Sequence, residues 1–159
     1  MTSGFKSKTP WQEKLQRPQE PKLVPVPPKM ARSGKGKMLI PTPKLVDDIV
    51  RRVTKGKLVT VGEIRTKLAR DHGADVACPL TTGIFVRIVA EAANEASQQG
   101  AKRVTPYWRI VRDNGELNPK FPGGVELQSR RLRDEGFAIV RNGKTSMVKD
   151  FASQLISLK

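Results

Sequence analysis

Thr42-Pro43-Lys44-Leu45-Val46-Asp47-Asp48-Ile49-Val50-Arg51-Arg52-Val53-Thr54-Lys55-Gly56-Lys57-Leu58-Val59-Thr60-Val61-Gly62-Glu63-Ile64 is the stretch that decides the fold class. Thr42 supplies a capping oxygen ahead of Pro43, a residue pre-set for the first helical position. Leu45, Val46, Ile49, Val50 and Val53 then recur at helical spacing, which predicts an amphipathic helix ending near Lys55-Gly56. Leu58, Val59 and Thr60 form a short extended link. Thr60 and Glu63 have the spacing of a capping box, so a second helix starts here, with Ile64 and Leu68 inward and Gly73 as its stop.

Downstream, a loop holds Cys78-Pro79, and Thr81 or Thr82 can cap a third helix. Ile84, Phe85, Ile88, Val89 and Ala92 give it one apolar face, and it ends by Gly100. Helix, tight link, helix, loop, helix is the order of a helix-turn-helix core, an order many helical bundles share. Arg103 to Arg112 reads as a β-like run broken by Pro106, followed by the turn signal Asp113-Asn114-Gly115. Glu116 to Gly124 is a shaped loop, and Val125 to Glu135 is a basic helix with Leu127 and Leu132 inward and Gly136 as its stop. Phe137–Arg141 and Lys144–Val148 flank Asn142-Gly143, a strong hairpin signal, and Asp150 can cap a short last helix holding Phe151, Leu155 and Ile156. The fold class expected is mainly α with small β: a winged helix-turn-helix core, a C-terminal β-hairpin and a disordered N-terminal arm.

That arm is read over residues 1–37, ahead of a domain over 38–159. Eight prolines lie in the first 43 residues and no apolar period develops around them, so the segment cannot build a core of its own. Lone Trp11 reads as an exposed aromatic within it. The chain has 159 residues and a net charge of +15, of which +7 falls in residues 1–40 and +8 in the remainder. Such an excess of positive charge attracts polyanions, nucleic acid above all. One cysteine excludes an internal disulfide framework and any multi-cysteine zinc site, and points to a reducing compartment. With no long apolar run, the expectation is a soluble, cytoplasmic, nucleoid-associated monomer with no membrane contact. No cofactor or metal is expected, and His72 has no companion ligand.

Four short motifs now stand in order: Gly56-Lys57-Leu58-Val59-Thr60-Val61-Gly62-Glu63-Ile64, Thr105-Pro106-Tyr107-Trp108-Arg109-Ile110-Val111 with the following Asn114-Gly115, Phe121-Pro122-Gly123-Gly124, and Gln128 to Gly136. Together they make residues 37–137 resemble the DNA-binding and active-site domain of the O-alkylguanine-DNA alkyltransferases and the related alkyltransferase-like proteins. In that family a Cys thiolate accepts the alkyl group and an adjacent His helps remove its proton. Tyr107 stands at the position of that Cys and Trp108 at that of the His, so the resemblance implies a fold without the family's chemistry. No catalytic residue is expected. The remaining enzyme reading, alkyl transfer to Cys78, places the nucleophile outside the motif.

The resemblance also implies a pocket formed by Tyr107, Trp108, Phe121, Gly123 and Gly124, although a core role for the two adjacent aromatics stands level with it. The family's base-rotating Tyr matches Val61 and its arginine finger matches Thr82, with Arg87 one and a half turns later as the nearby substitute, so two of the usual devices for flipping a base are missing. The DNA-binding set is Thr81, Thr82, Gly83, Arg87, Arg109, Arg130 and Arg131. The first three open the third helix, where free N–H groups favour phosphate, with Arg87 farther along it. Arg109 reads more strongly as a loop anchor than as a ligand contact. Arg130, Arg131 and Arg133 form a solvated basic face. The functional expectation is a non-catalytic binder of double-stranded DNA that recognises alkylated or damaged DNA and hands it to a repair-protein partner. An RNA- or ribosome-associated basic module is the rival from another class.

Overall fold

The computed structural model describes residues 10–33 and 36–158. Its N-terminal part is α1 (Trp11–Gln16), β1 (Lys22–Pro25), a 3-10 turn (Pro28–Ser33) and β2 (Lys37–Ile40). The central part is α2 (Pro43–Val50), β3 (Val59–Thr60), α3 (Val61–Asp71), β4 (Val76–Ala77) and α4 (Pro79–Gln98). A 3-10 turn (Tyr107–Arg109), β5 (Ile110–Val111), α5 (Gly124–Asp134), β6 (Ile139–Asn142), β7 (Thr145–Val148) and a last 3-10 turn (Phe151–Gln154) complete the chain.

The capping signals act where the sequence places them. Thr42 Oγ1 accepts the Leu45 N–H at 3.3 Å, and the Thr60–Glu63 capping box is reciprocal, with Glu63 N–H to Thr60 Oγ1 at 3.1 Å and Thr60 N–H to Glu63 Oε1 at 3.0 Å. The third helix starts earlier than expected. Cys78, not Thr81 or Thr82, is its N-cap, because Pro79 takes the first helical position and the Thr82 hydroxyl bonds back to Cys78 O at 2.7 Å. The last helix is instead a 3-10 turn. Asp150 precedes it in the left-handed region with no side-chain cap, and Leu155 is drawn into a bridge with Leu58.

Three small sheets tie these helices together. β2 lies between an antiparallel β1 and a parallel β4, β3 pairs parallel with β5, and β6 pairs antiparallel with β7. In the hairpin Asn142 faces Thr145, so the linking pair is Gly143-Lys144, one residue later than the Asn-Gly signal suggests; only Gly143 has positive φ, as in a II′ turn. The main core gathers Val46 and Val50 of α2, Ile64 and Leu68 of α3, Val86 and Val89 of α4, and Leu132 of α5 around Tyr107 and Ile110. Burying each such aliphatic side chain contributes about 1.5–3 kcal/mol. A satellite cluster of Met38, Val76 and Cys78 sits apart, with Val24, Val26, Met30 and Ile40 packed against it.

The arm expected over residues 1–37 is built into the fold over its described part. Glu95 of α4 accepts the Trp11 and Gln12 N–H groups at 3.2 and 3.1 Å and the Gln12 side chain at 3.0 Å, and Leu15 is buried. Trp11 lies half-buried, with Lys14 Nζ 4.3 Å from its ring centroid. Prolines exclude a helix over residues 18–28 but not an edge strand, and β1 pairs with β2 from Lys22 to Pro25 across the expected boundary at residue 37. The partners on α4 are 83 and 84 residues away along the chain, beyond the reach of a local pattern. Lys6, Lys8 and Lys35 lie outside the described residues.

Burial works against ionisation of Glu95, but the bonds from Gln12 and Trp11 outweigh it and hold its carboxyl below the ordinary value of 4.5. Glu95→Ala removes the acceptor for the first two α1 donors. The expected loss is about 1 kcal/mol in urea denaturation, with faster amide exchange confined to α1.

Candidate nucleic-acid interface

The motif around Tyr107 is anchored from every side. Asp47 of α2, fully buried, accepts the Thr105 hydroxyl at 2.6 Å and Arg51 Nε at 2.7 Å. The Gln128 side chain of α5 donates to Trp108 O at 3.1 Å and Ile110 O at 2.9 Å, and accepts the Asn118 N–H at 2.9 Å. Glu135, at the end of α5, accepts Trp108 Nε1 at 2.8 Å and pairs with Arg109 through Nε at 2.9 Å and Nη2 at 2.8 Å. Arg109 Nη1 also donates to Val53 O at 2.6 Å, closing the loop after α2 onto the same knot. Burial opposes ionisation of Glu135, yet the bonds from Arg109 and Trp108 hold its carboxyl below 4.5.

This arrangement corrects the pocket. Tyr107 has no exposed surface, Trp108 and Phe121 are buried, and the Tyr107 ring meets Trp108 at 5.4 Å and Phe121 at 5.5 Å edge-on. The three rings do come together, but as core, because aromatic edges and faces fill the space beside α4 and α5. Burial pushes the Tyr107 phenol above its ordinary value near 10, with the Arg131 charge offsetting part of the rise, so it stays protonated at neutral pH. Its hydroxyl lies beside the Arg131 guanidinium but meets no partner in full hydrogen-bond geometry among the described residues, and Arg131 Nε is likewise unbonded. Gly123 and Gly124 make the turn into α5. Gly123 has φ +74°, and a Cβ there would lie 2.6 Å from Leu127 Cβ.

The expected DNA-binding set divides into two groups. Arg109 turns inward to Glu135 and is an anchor. Arg131 is half-buried, its guanidinium 4.4 Å from the Trp108 ring centroid, because it lies three residues beyond the buried Gln128 on the same side of α5. Thr82 is fully buried and bonds to Cys78 O. Thr81 is half-buried and directs its hydroxyl to Cys78 Sγ at 3.1 Å. Gly83, Arg87 and Arg130 are exposed, with Arg87 3.6 Å from the half-buried Glu91. Arg130 and Arg133 line a cleft of about 500 Å³ with Arg141 and Ser146, on the far side of α5 from the aromatic knot. Cys78 is buried in the satellite cluster, not beside Tyr107.

Helix starts differ in a way the sequence does not display. At α3 the Gly62 N–H is taken by Asp113 Oδ1 at 2.7 Å, a carboxylate from the loop after β5. At α4 the Leu80 N–H has no partner among the described residues, and the Thr81 N–H has only Cys78 Sγ at 3.5 Å. Arg65 of α3 donates through Nε to Ala77 O at 3.2 Å, which sets its guanidinium beside this open start. The i, i+12 relation of Arg65 and Ala77 is tertiary, so only the fold brings them together. A cleft of about 500 Å³ lined by Gly62, Arg65, Thr66, Arg70, Asp75 and Ala77 runs alongside. Among the described residues no group of three or more His, Cys, Asp or Glu could hold a metal, and no helix is long and apolar enough to cross a membrane.

No family model and no curated protein matches the chain. Among solved structures, it is similar to the alkyltransferase-like protein S. pombe Atl1 in complex with damaged DNA containing O6-carboxymethylguanine, at 20% identity over 73% of this chain and 94% of that one, with a TM-score of 0.49. It is likewise similar to S. pombe ATL in complex with DNA, at 19% identity over the same shares, with a TM-score of 0.48.

Glu135→Gln leaves the Arg109 guanidinium buried without its counter-charge, and should lower stability by about 3 kcal/mol. In the native protein the stability due to Glu135 is complete above pH 4.5 and is lost as pH falls through its lowered folded-state value; the variant's acid unfolding curve should lack that component. Tyr107→Phe keeps the ring and removes a buried hydroxyl that has only the poorly aligned Arg131 guanidinium as neighbour. Thermal unfolding should be unchanged or rise by a few degrees, corresponding to up to about 1 kcal/mol.

Proposed function

We propose that this protein is a non-catalytic DNA-binding protein of alkyltransferase-like type, meeting double-stranded DNA with the start of α4 and recognising alkylated or damaged bases for repair. The observation that carries the reading is the contrast between the two helix starts: α3 is closed by Asp113, whereas the Leu80 N–H of α4 has no partner among the described residues and is flanked by Arg65, with no acid in the helix's own sequence before Glu91. An open positive helix end beside a guanidinium is a phosphate site by dipole and hydrogen bonding together. The four motifs of the resemblance also meet in one unit beside that helix: β3 pairs with β5, Asp113 holds Gly62, and Gln128 and Glu135 hold the Tyr107–Arg109 turn.

A non-catalytic role is supported by the chemistry at the position of the family's acceptor. A buried, protonated phenol is a poor nucleophile, and Cys78 is buried elsewhere. Lesion recognition by Tyr107 and Trp108 requires these packed rings to part and a nucleotide to leave its stack, which costs a few kcal/mol. Selectivity for an alkylated base would therefore be accompanied by a change in Trp108 fluorescence, which plain duplex would not produce.

Fluorescence anisotropy against a labelled duplex at increasing salt tests the reading. The expected result is binding at low salt that weakens with a log–log slope of about −0.9 per phosphate neutralised, and tighter binding to a duplex carrying O-alkylguanine. Equal affinity for modified and unmodified duplexes removes lesion recognition and leaves DNA binding. Absence of duplex binding at low salt, or preferential capture by structured RNA, overturns the reading.

A further inference from the structure

Four large apolar side chains are exposed among the described residues, and two of them share one face of one helix. Leu80 is 72% exposed and Ile84 51%, one turn apart at the start of α4; the others, Leu23 and Val140, lie on separate strands. Single exposed hydrophobics need no explanation, but an i, i+4 pair at an open helix end makes a protruding apolar edge. The core does not require it: Val86, Val89, Ala90 and Ala93 already supply the buried face of α4.

The surroundings specify what this edge meets. Gly83 lies between the two residues, exposed, and a Cβ built there would find nothing within 4 Å, so the backbone itself can approach a flat surface closely. Arg65 is held beside the start of the helix by Ala77 O, and exposed Arg87 follows Ile84 by three residues. The nearest acid before the helix, Asp75, is already engaged by the Lys37 N–H at 2.8 Å. An apolar tip between the Leu80 N–H, unpartnered among the described residues, and the guanidiniums of Arg65 and Arg87 is complementary to a surface that is apolar at its centre and anionic at its edges. Duplex DNA offers that combination at a base step, where stacked rings lie between two phosphate backbones.

We propose that Leu80 is an apolar wedge that enters between adjacent base pairs, with Ile84 packing behind it against the sugars, while the start of α4 and Arg65 hold the flanking phosphates. Aliphatic wedges of this kind partly unstack a step and bend the duplex, and the larger protein surface that a bent duplex can cover offsets the loss of stacking. The proposal rests on the reading of α4 as the DNA-binding face. It gives that face a way to open the stack although residues 61 and 82 carry neither an aromatic ring nor an arginine.

The test is the fluorescence of 2-aminopurine placed at successive positions in a duplex, read with saturating wild-type protein, Leu80→Ser/Ile84→Ser and Arg65→Ala. With wild type, emission should rise at a base step within the footprint. Leu80→Ser/Ile84→Ser should lose that rise and about tenfold in affinity, with an unchanged salt slope. Arg65→Ala should keep the rise and reduce the magnitude of the salt slope by about 1. Both Leu80 and Ile84 are exposed, so the double variant should unfold at the same temperature as wild type. Duplex binding by wild type without any rise, or a rise that survives in the double variant, overturns the wedge and leaves the DNA-binding face intact. No duplex binding by wild type overturns the face and the wedge together.

Discussion

The Arg109–Glu135 pair is the constraint on which the rest of the site depends. Its carboxylate also accepts Trp108 Nε1, and its guanidinium also donates to Val53 O, so the Tyr107–Arg109 turn, the end of α5 and the loop after α2 are joined by two side chains. A bidentate pair buried at this depth contributes little net stability over an apolar substitute, but losing one partner is expensive because the other charge is left behind. Its value is geometric. It fixes where the 3-10 turn enters β5, and β5 in turn positions β3 and the first residues of α3.

From that knot the α4 start acquires its character. Asp113, in the loop directly after β5, reaches Gly62 and closes α3. Gln128 fixes the opposite edge of the same turn. The aromatic residues that sequence would place in a pocket are consumed in holding this arrangement: Tyr107 fills the space between Trp108 and Phe121, and Trp108 is covered by Arg131. These rings are therefore part of the core and present no open face.

What was legible in the sequence was local. Thr42, Pro43, Thr60 and Glu63 announce two helix starts because each cap is completed within three residues, and Leu45 to Val53 announces its own inward face. The order of the four motifs led to the resemblance. The departures from expectation share a cause in long-range contact. Glu95 orders Trp11 and Gln12 from more than eighty residues away, Asp47 reaches Thr105, and Glu135 claims Arg109, so an apparent arm becomes part of the body and an apparent ligand becomes an anchor. Leu80 and Ile84 are hidden in the sequence for the opposite reason. Their apolar character matches a buried helical face, and only the fold leaves them outside.

The central claim is that nucleic acid meets the start of α4 and not the aromatic knot or the Arg130–Arg133 face. Backbone amide chemical shifts, followed while the labelled protein is titrated with an unmodified duplex at low salt, test it most directly. The account predicts the largest shifts at Leu80, Thr81, Gly83 and Ile84, with Tyr107 and Ile110 little changed. Shifts centred on Ser129 to Arg133, with the α4 start unmoved, would contradict it.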